Sequence, residues 1–347
     1  MSPLRRRVQE AVEDIQGAIE SPGYTNRKKD EINYEGLLST GSTLLDLSIS
    51  GGRKRGGGVP GGIITEIYGP YGSGKTAILA ELCASSQSRK GEALFLDPEG
   101  RLDKEYSRIY GMAIDKNNYA MPDTVEQVFK TIRDWDAPDR GSKVTHVVGV
   151  DSLAALSTDL EMDKGDKMGM RRAKDFSTEL RKTARVIKKR NWLIAATNQV
   201  RDGEYGEFTP GGNAIAFYAS LRMRVAQLKR IEKKVKLASG KEVAKVIGIQ
   251  SHVFIKKSTV DDPFRECDIF IVFGYGIDDI RGNLQFWKDM TGDTLYETPD
   301  KKRYQSMDQA ILRVEEAKLE NDLRRNTIDL WEEIEQKFKT NRREKER

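Results

Sequence analysis

The 347-residue chain carries 59 basic against 54 acidic side chains, a net charge of +5, with 37% hydrophobic and 33% charged residues. That length admits one large α/β domain with smaller attachments, and no apolar run approaches the roughly 20 residues a membrane span requires. Cys83 and Cys267 stand far apart with no CxxC pair, so neither a disulfide framework nor a zinc knuckle is indicated and both are expected to be core thiols.

Arg5 to Arg7 are followed by Val8-Gln9-Glu10-Ala11 rather than by the apolar stretch of a secretory signal, which predicts a cytoplasmic protein. Leu4, Val8, Val12, Ile15 and Ile19 form one stripe at helical spacing. Ser21-Pro22-Gly23 ends that helix, and a polar connection completes an N-terminal segment of residues 1–35. A helix that cannot cover its apolar stripe within its own domain can dock on a neighbouring subunit.

Residues 36–282 alternate short apolar runs with helical stretches, the pattern of a mostly parallel sheet wrapped by helices. The predicted strands are Ile63 to Tyr68, Ala93 to Asp97, His146 to Asp151, Leu193 to Asn198 and Leu221 to Val225. The first four end in polar residues, where ligands of open α/β sheets collect. Beyond Lys229, the runs around Ser239-Gly240-Lys241 read as antiparallel strands that extend the sheet. Residues 283–347 read as a small α-rich domain with a long charged helical region, Asp308 to Lys339. Arg53-Lys54-Arg55 and the tail from Lys337 to Arg347 are concentrated positive charge, read first as solvated surface and second as DNA contacts.

Gly69-Pro70-Tyr71-Gly72-Ser73-Gly74-Lys75-Thr76 fits G-x-x-x-x-G-K-[ST] between a predicted strand and the helical stretch Ala77 to Ser85. Glycines let backbone N–H groups approach phosphates, and the helix N-terminus adds its dipole. Lys75 is then expected on the β and γ phosphates, and Thr76 on Mg²⁺. Asp151, closing an apolar strand, is the second metal carboxylate, acting through water; taken alone it reads equally as a helix cap. Glu99, just past another strand end, is the candidate base for water.

In this order the motifs resemble those of bacterial RecA recombinases, across residues 36–282. The resemblance is carried by Ser39-Thr40-Gly41-Ser42, Glu66-Ile67-Tyr68-Gly69-Pro70, Val150-Asp151-Ser152-Leu153-Ala154-Ala155-Leu156, Gly211-Gly212-Asn213-Ala214 and Phe217-Tyr218-Ala219-Ser220. It implies a RecA-like α/β core, ATP and Mg²⁺ as cofactors, and DNA-dependent ATP hydrolysis. It also implies a helical filament on single-stranded DNA that pairs with homologous double-stranded DNA, in recombination and repair at the nucleoid, with no membrane partner.

By the same resemblance Glu99 is the water-activating glutamate, although Pro98 and Gly100 depart from the usual flanks. Asp103 and Tyr106 bind adenine, and Gln199 senses the γ-phosphate. Met168, Gly169, Arg171 and Arg172 belong to a first DNA loop spanning Glu161 to Arg172. Arg201, Gly211, Gly212 and Asn213 belong to a second, which is short and carries Asp202, Glu204 and Glu207. Lys257 is a cation offered to the neighbouring subunit's nucleotide, with Lys256 standing in for a second lysine whose place is taken by Thr259. Phe217 packs across the subunit boundary. A hexameric helicase on the same core, and a non-catalytic recombination accessory protein, are the alternative functions.

Overall fold

The computed structural model describes residues 32–157, 169–203, 206–210, 213–339 and 342. The chain divides into two compact units, Met1–Ile32 and Asn33–Arg347. The predicted N-terminal helix, Met168, Gly211, Gly212 and most of the basic tail lie outside the described residues.

Helix α1 (Thr43–Ser50) is buried throughout, and Ser42 caps it by accepting from the Leu45 amide. Strand β1 (Ile64–Gly69) leads through the phosphate loop into α2 (Lys75–Ser88), whose Ile78, Leu79, Leu82 and Cys83 are fully buried. There follow β2 (Ala93–Leu96), α3 (Lys104–Ile109), β3 (Tyr119–Ala120), α4 (Val125–Asp134) and β4 (His146–Val150). Val125, Val128, Phe129 and Ile132 recur at helical spacing on α4, so one face is apolar and packs inward. The chain continues through α5 (Gly169–Lys189), β5 (Trp192–Gln199), a small hairpin of β6 (Arg201–Gly203) and β7 (Gly206–Phe208), and α6 (Asn213–Tyr218).

Strands β8 (Leu221–Lys236) and β9 (Glu242–Ser258) form a long antiparallel pair, followed by β10 (Glu266–Val272) and β11 (Gly276–Ile277). Together with β1 to β5 they make one nine-stranded sheet in the order β11-β10-β9-β8-β1-β5-β4-β2-β3. The run β8-β1-β5-β4-β2-β3 is parallel, while β9, β10 and β11 pair antiparallel. Strands β1, β2 and β4 are buried along their whole length, as apolar runs covered on both faces should be. All five expected strands form. The fifth does not stop at Val225 but continues to Lys236, because cross-strand pairing with β9 sustains it after burial ends.

The last segment comprises α7 (Asp279–Thr291), a hairpin of β12 (Tyr296–Glu297) and β13 (Arg303–Tyr304), α8 (Met307–Glu316) and α9 (Glu320–Phe338). The charged region expected from Asp308 to Lys339 is therefore two helices, broken where Lys318 takes φ 55°. Leu47 of α1 packs with Ile328 and Trp331 of α9. Arg55 pairs with Asp329 and Glu332, and Arg53 lies 3.5 Å from Asp261. Arg53 and Arg55 of the basic run before β1 are thus each set against acidic side chains while staying at least half exposed.

Candidate active site

The strand order brings together residues far apart in sequence. Register sets Gly69 beside Gln199, Val150 beside Ala196, and Leu96 beside Val150. The segments leaving β1, β2, β4 and β5 therefore emerge on one side of the sheet. They line a cavity of 590 Å³ with Tyr71 to Ala77, Asp97, Glu99, Arg101, Tyr106, Asp151 and Gln199 on its wall.

The phosphate loop needs its glycines where the backbone crowds. A Cβ on Gly69 would lie 1.9 Å from the Val225 carbonyl oxygen. Gly74 has φ +93° and its Cβ would lie 2.2 Å from Ile271 Cδ1. Lys75 Nζ donates to the carbonyls of Gly69 (3.0 Å) and Pro70 (2.7 Å). Burial pushes its ammonium below the ordinary range, while the Asp151 and Glu99 carboxylates oppose that shift.

Thr76 Oγ1 donates to Asp151 Oδ2 at 2.7 Å, and Thr197 donates to the other oxygen. Burial raises the Asp151 carboxyl, and these two hydroxyls counter it. A hydroxyl and a carboxylate side by side are hard oxygen donors that fit Mg²⁺, an ion that takes few protein ligands and fills its shell with water and phosphate. Among the described residues no group of three or more His, Cys, Asp or Glu is placed to hold a metal without such help.

Glu99 is gripped at both oxygens: Ser152 Oγ donates to Oε1 at 2.7 Å, and Arg101 Nη1 lies 2.8 Å from Oε2. The loop carrying it is closed by Asp97, whose Oδ2 accepts from the Leu102 amide (2.8 Å) and the Tyr119 hydroxyl (2.9 Å). Tyr106 lines the cavity with its ring centroid 5.1 Å from that of Tyr110, the two planes tilted by 53°, and the Tyr110 hydroxyl donates to that of Tyr106. Asp103 caps α3, its Oδ1 accepting from the Glu105 amide, with its side chain exposed.

The opposite wall was not anticipated. Ile249, Ile271, Val272, Phe273 and Gly274, from β9, β10 and the turn after it, complete the cavity with an apolar surface. Such a wall suits a nucleobase, but only the antiparallel end of the sheet brings it there. Arg101 escaped sequence reading because it belongs to no motif, and Ser152, although inside the Val150 to Leu156 stretch, had no role assigned to it.

The other expected site residues lie elsewhere. Gly169, Arg171 and Arg172 fall in the first turn of α5, so the part of the expected loop from Gly169 to Arg172 is helical. Arg201 opens β6 and Asn213 opens α6. Phe217 is 75% exposed on α6. Lys257 donates to the carbonyls of Ala216 (2.9 Å) and Phe217 (2.8 Å). Lys256 is exposed, and the pairing steps from Arg222 with Lys257 to Met223 with Ile255, leaving Lys256 as the extra residue of a bulge.

Strand order and loop together define a phosphate-loop α/β core. Residues 8–278 match the family model described as the RecA N-terminal domain. The chain is 36% identical over 247 residues to Protein RecA of Ruminococcus albus, covering 69% of this chain and 58% of that protein. It is 36% identical over 247 residues to Protein RecA of Dichelobacter nodosus (69% and 65%) and 35% identical over 253 residues to that of Symbiobacterium thermophilum (71% and 67%). The chain belongs to the RecA family. Its matched stretch spans less than two thirds of the first two relatives' length. Among the described residues no helix is long and apolar enough to cross a membrane.

Proposed function

We propose that this protein is an ATP-dependent recombinase that polymerises on single-stranded DNA and pairs it with a homologous duplex. The observation that carries the reading is the convergence of the Gly69–Thr76 loop, Glu99, Asp151 and Gln199 on one cavity. ATP is held with its phosphates on the loop amides and Lys75, and its base against Tyr106 with the adenine amino group donating to Asp103. Thr76, and Asp151 through water, hold Mg²⁺, which when bound neutralises phosphate charge. Glu99 takes the proton of the attacking water as the bond from the γ-phosphorus to the ADP oxygen breaks, giving ADP and phosphate.

Gln199 hydrogen-bonds the γ-phosphate and reports its presence to residues 200–213. Lys257 and Lys256 approach the nucleotide of a neighbouring subunit, and residues 1–35 and Phe217 contribute to the same boundary. Arg171, Arg172, Arg201 and the chain around Met168 and Gly211 to Asn213 contact DNA backbone, while base pairing reads sequence.

Electron microscopy with single-stranded DNA, Mg²⁺ and a non-hydrolysable ATP analogue tests the reading. Helical filaments, with strand exchange by the purified protein alone, are expected. Closed rings would favour a helicase, and filaments without exchange an accessory role.

A further inference from the structure

Glu66 is a carboxylate with no exposure, set in the apolar strand that feeds the phosphate loop. A buried charge is tolerated only when paired and hydrogen-bonded. Its Oε2 accepts from Arg222 Nε at 2.6 Å, and Arg222 lies 4.6 Å over the ring of Tyr68, two residues further along the strand. Its Oε1 accepts from Asn198 Nδ2 at 2.9 Å.

Asn198 is itself fully buried and makes two further bonds. The same Nδ2 donates to the Pro210 carbonyl at 3.1 Å, and Oδ1 accepts from the backbone amide of Gln199 at 3.0 Å. One side chain therefore joins three parts of the molecule: the strand entering the phosphate loop, the backbone of the cavity-lining Gln199, and the far end of the chain that leaves β5 and returns at Pro210. Burial matters here, because a displaced Asn198 would strand polar groups that have no water to turn to. Movement of any one of the three is thus opposed unless the others follow.

We propose that Asn198 is a positioning residue that couples occupancy of the nucleotide cavity to the conformation of residues 200–210 through the buried Arg222, Glu66 and Asn198 relay. The inference rests on the reading of the cavity as an ATP site. It adds to the role of Gln199 a fixed mechanical connection: the sensor's own amide and the returning end of the segment are tied to one amide side chain. The segment therefore responds at both ends to a change at the phosphate loop.

The test is hydrogen exchange on the full chain, with and without a non-hydrolysable ATP analogue and Mg²⁺, alongside the analogue's Kd. In the wild-type protein the analogue slows exchange across 200–210. In Asn198→Ala that slowing falls by about tenfold, within the usual span of coupling between two sites, while the Kd changes by less than about threefold.

Because removing Asn198 also takes a donor from Glu66, a second variant, Asn198→Asp with Glu66→Gln, separates coupling from support of the core. The amide introduced on β1 can donate to the carboxylate introduced on β5 and charge is conserved, but nothing then donates to the Pro210 carbonyl. This variant is expected to melt near wild type, bind the analogue and still lack the response. An unchanged response in Asn198→Ala, a restored response in the double variant, or loss of folding in both would overturn the proposal. Failure of the wild type to bind the analogue would instead remove the ATP reading on which it stands, an outcome visible in the Kd before exchange is measured.

Discussion

The Arg101 guanidinium lies 2.8 Å from Glu99 Oε2, with 70% of the arginine side chain but only 16% of the glutamate exposed. The pair turns part of the acceptor capacity of Glu99 towards the arginine rather than towards a water in the cavity. The arginine's exposure limits the pair to roughly 1 kcal/mol or less. Arg101→Ala is therefore expected to raise the ATP hydrolysis rate by up to about fivefold, with KM for ATP little changed. Glu99→Gln should lower kcat by about 10²- to 10⁴-fold. Steady-state phosphate release measures both, and a fall in Arg101→Ala with a raised KM would make Arg101 a phosphate ligand instead.

The docking of α9 is decided by packing more than by charge. Trp331 is 9% exposed, sits with Leu47 and Ile328, and carries the Arg265 guanidinium 5.3 Å from its ring centroid. Trp331→Ala should destabilise the protein by about 3 kcal/mol. Arg55→Ala, although it breaks two ion pairs, should lose less than about 1 kcal/mol because its side chain is 50% exposed. Urea denaturation orders the two, and equal losses would refute the packing account.

Burial pushes the Glu81 carboxyl up to about 7, with Asp46 and Asp279 adding to the shift and the Ile277 amide opposing it. The folded chain then holds this proton more tightly than the unfolded chain. The resulting stabilisation is present below the ordinary value of 4.5 and is lost as pH rises through about 7. Glu81→Gln should match wild type near pH 4.5 and exceed it at pH 8 by about 3 kcal/mol, as read from denaturation at both pH values. A pH-independent difference would rule out Glu81 as its source.

The outer half of the β8 and β9 pair is solvated and basic. Lys233 and Lys245 stand directly opposite one another, an arrangement that costs stability in the absence of an anion. Lys233→Thr should therefore stabilise the protein by about 0.5 kcal/mol, as read from urea denaturation. An unchanged midpoint would show that solvent screens the pair.

The phosphate loop and all five core strands were legible in the sequence, because a strand buried on both faces must be a continuous apolar run and a phosphate cradle must be rich in glycine. The glycine turn before β9 was legible for the same local reason. What the residues did not disclose was adjacency. Arg53 and Arg55 looked like free positive charge until α9 and Asp261 were folded against them. Arg171 and Arg172 looked like loop until the start of α5 was fixed.

By itself the sequence determined that Lys75 and Thr76 close the phosphate loop at a helix start and that Glu99, Asp151 and Gln199 stand at or just beyond strand ends, since strand and helix periods and motif spacing are properties of neighbouring residues. The tertiary structure alone decided the rest: β5 lies between β1 and β4, the apolar wall comes from Ile249 and Ile271, Arg101 and Ser152 grip Glu99, and Asn198 reaches Glu66. Strand order and the partners of buried polar groups follow from how separate elements pack to exclude water, and no local pattern along the chain encodes them.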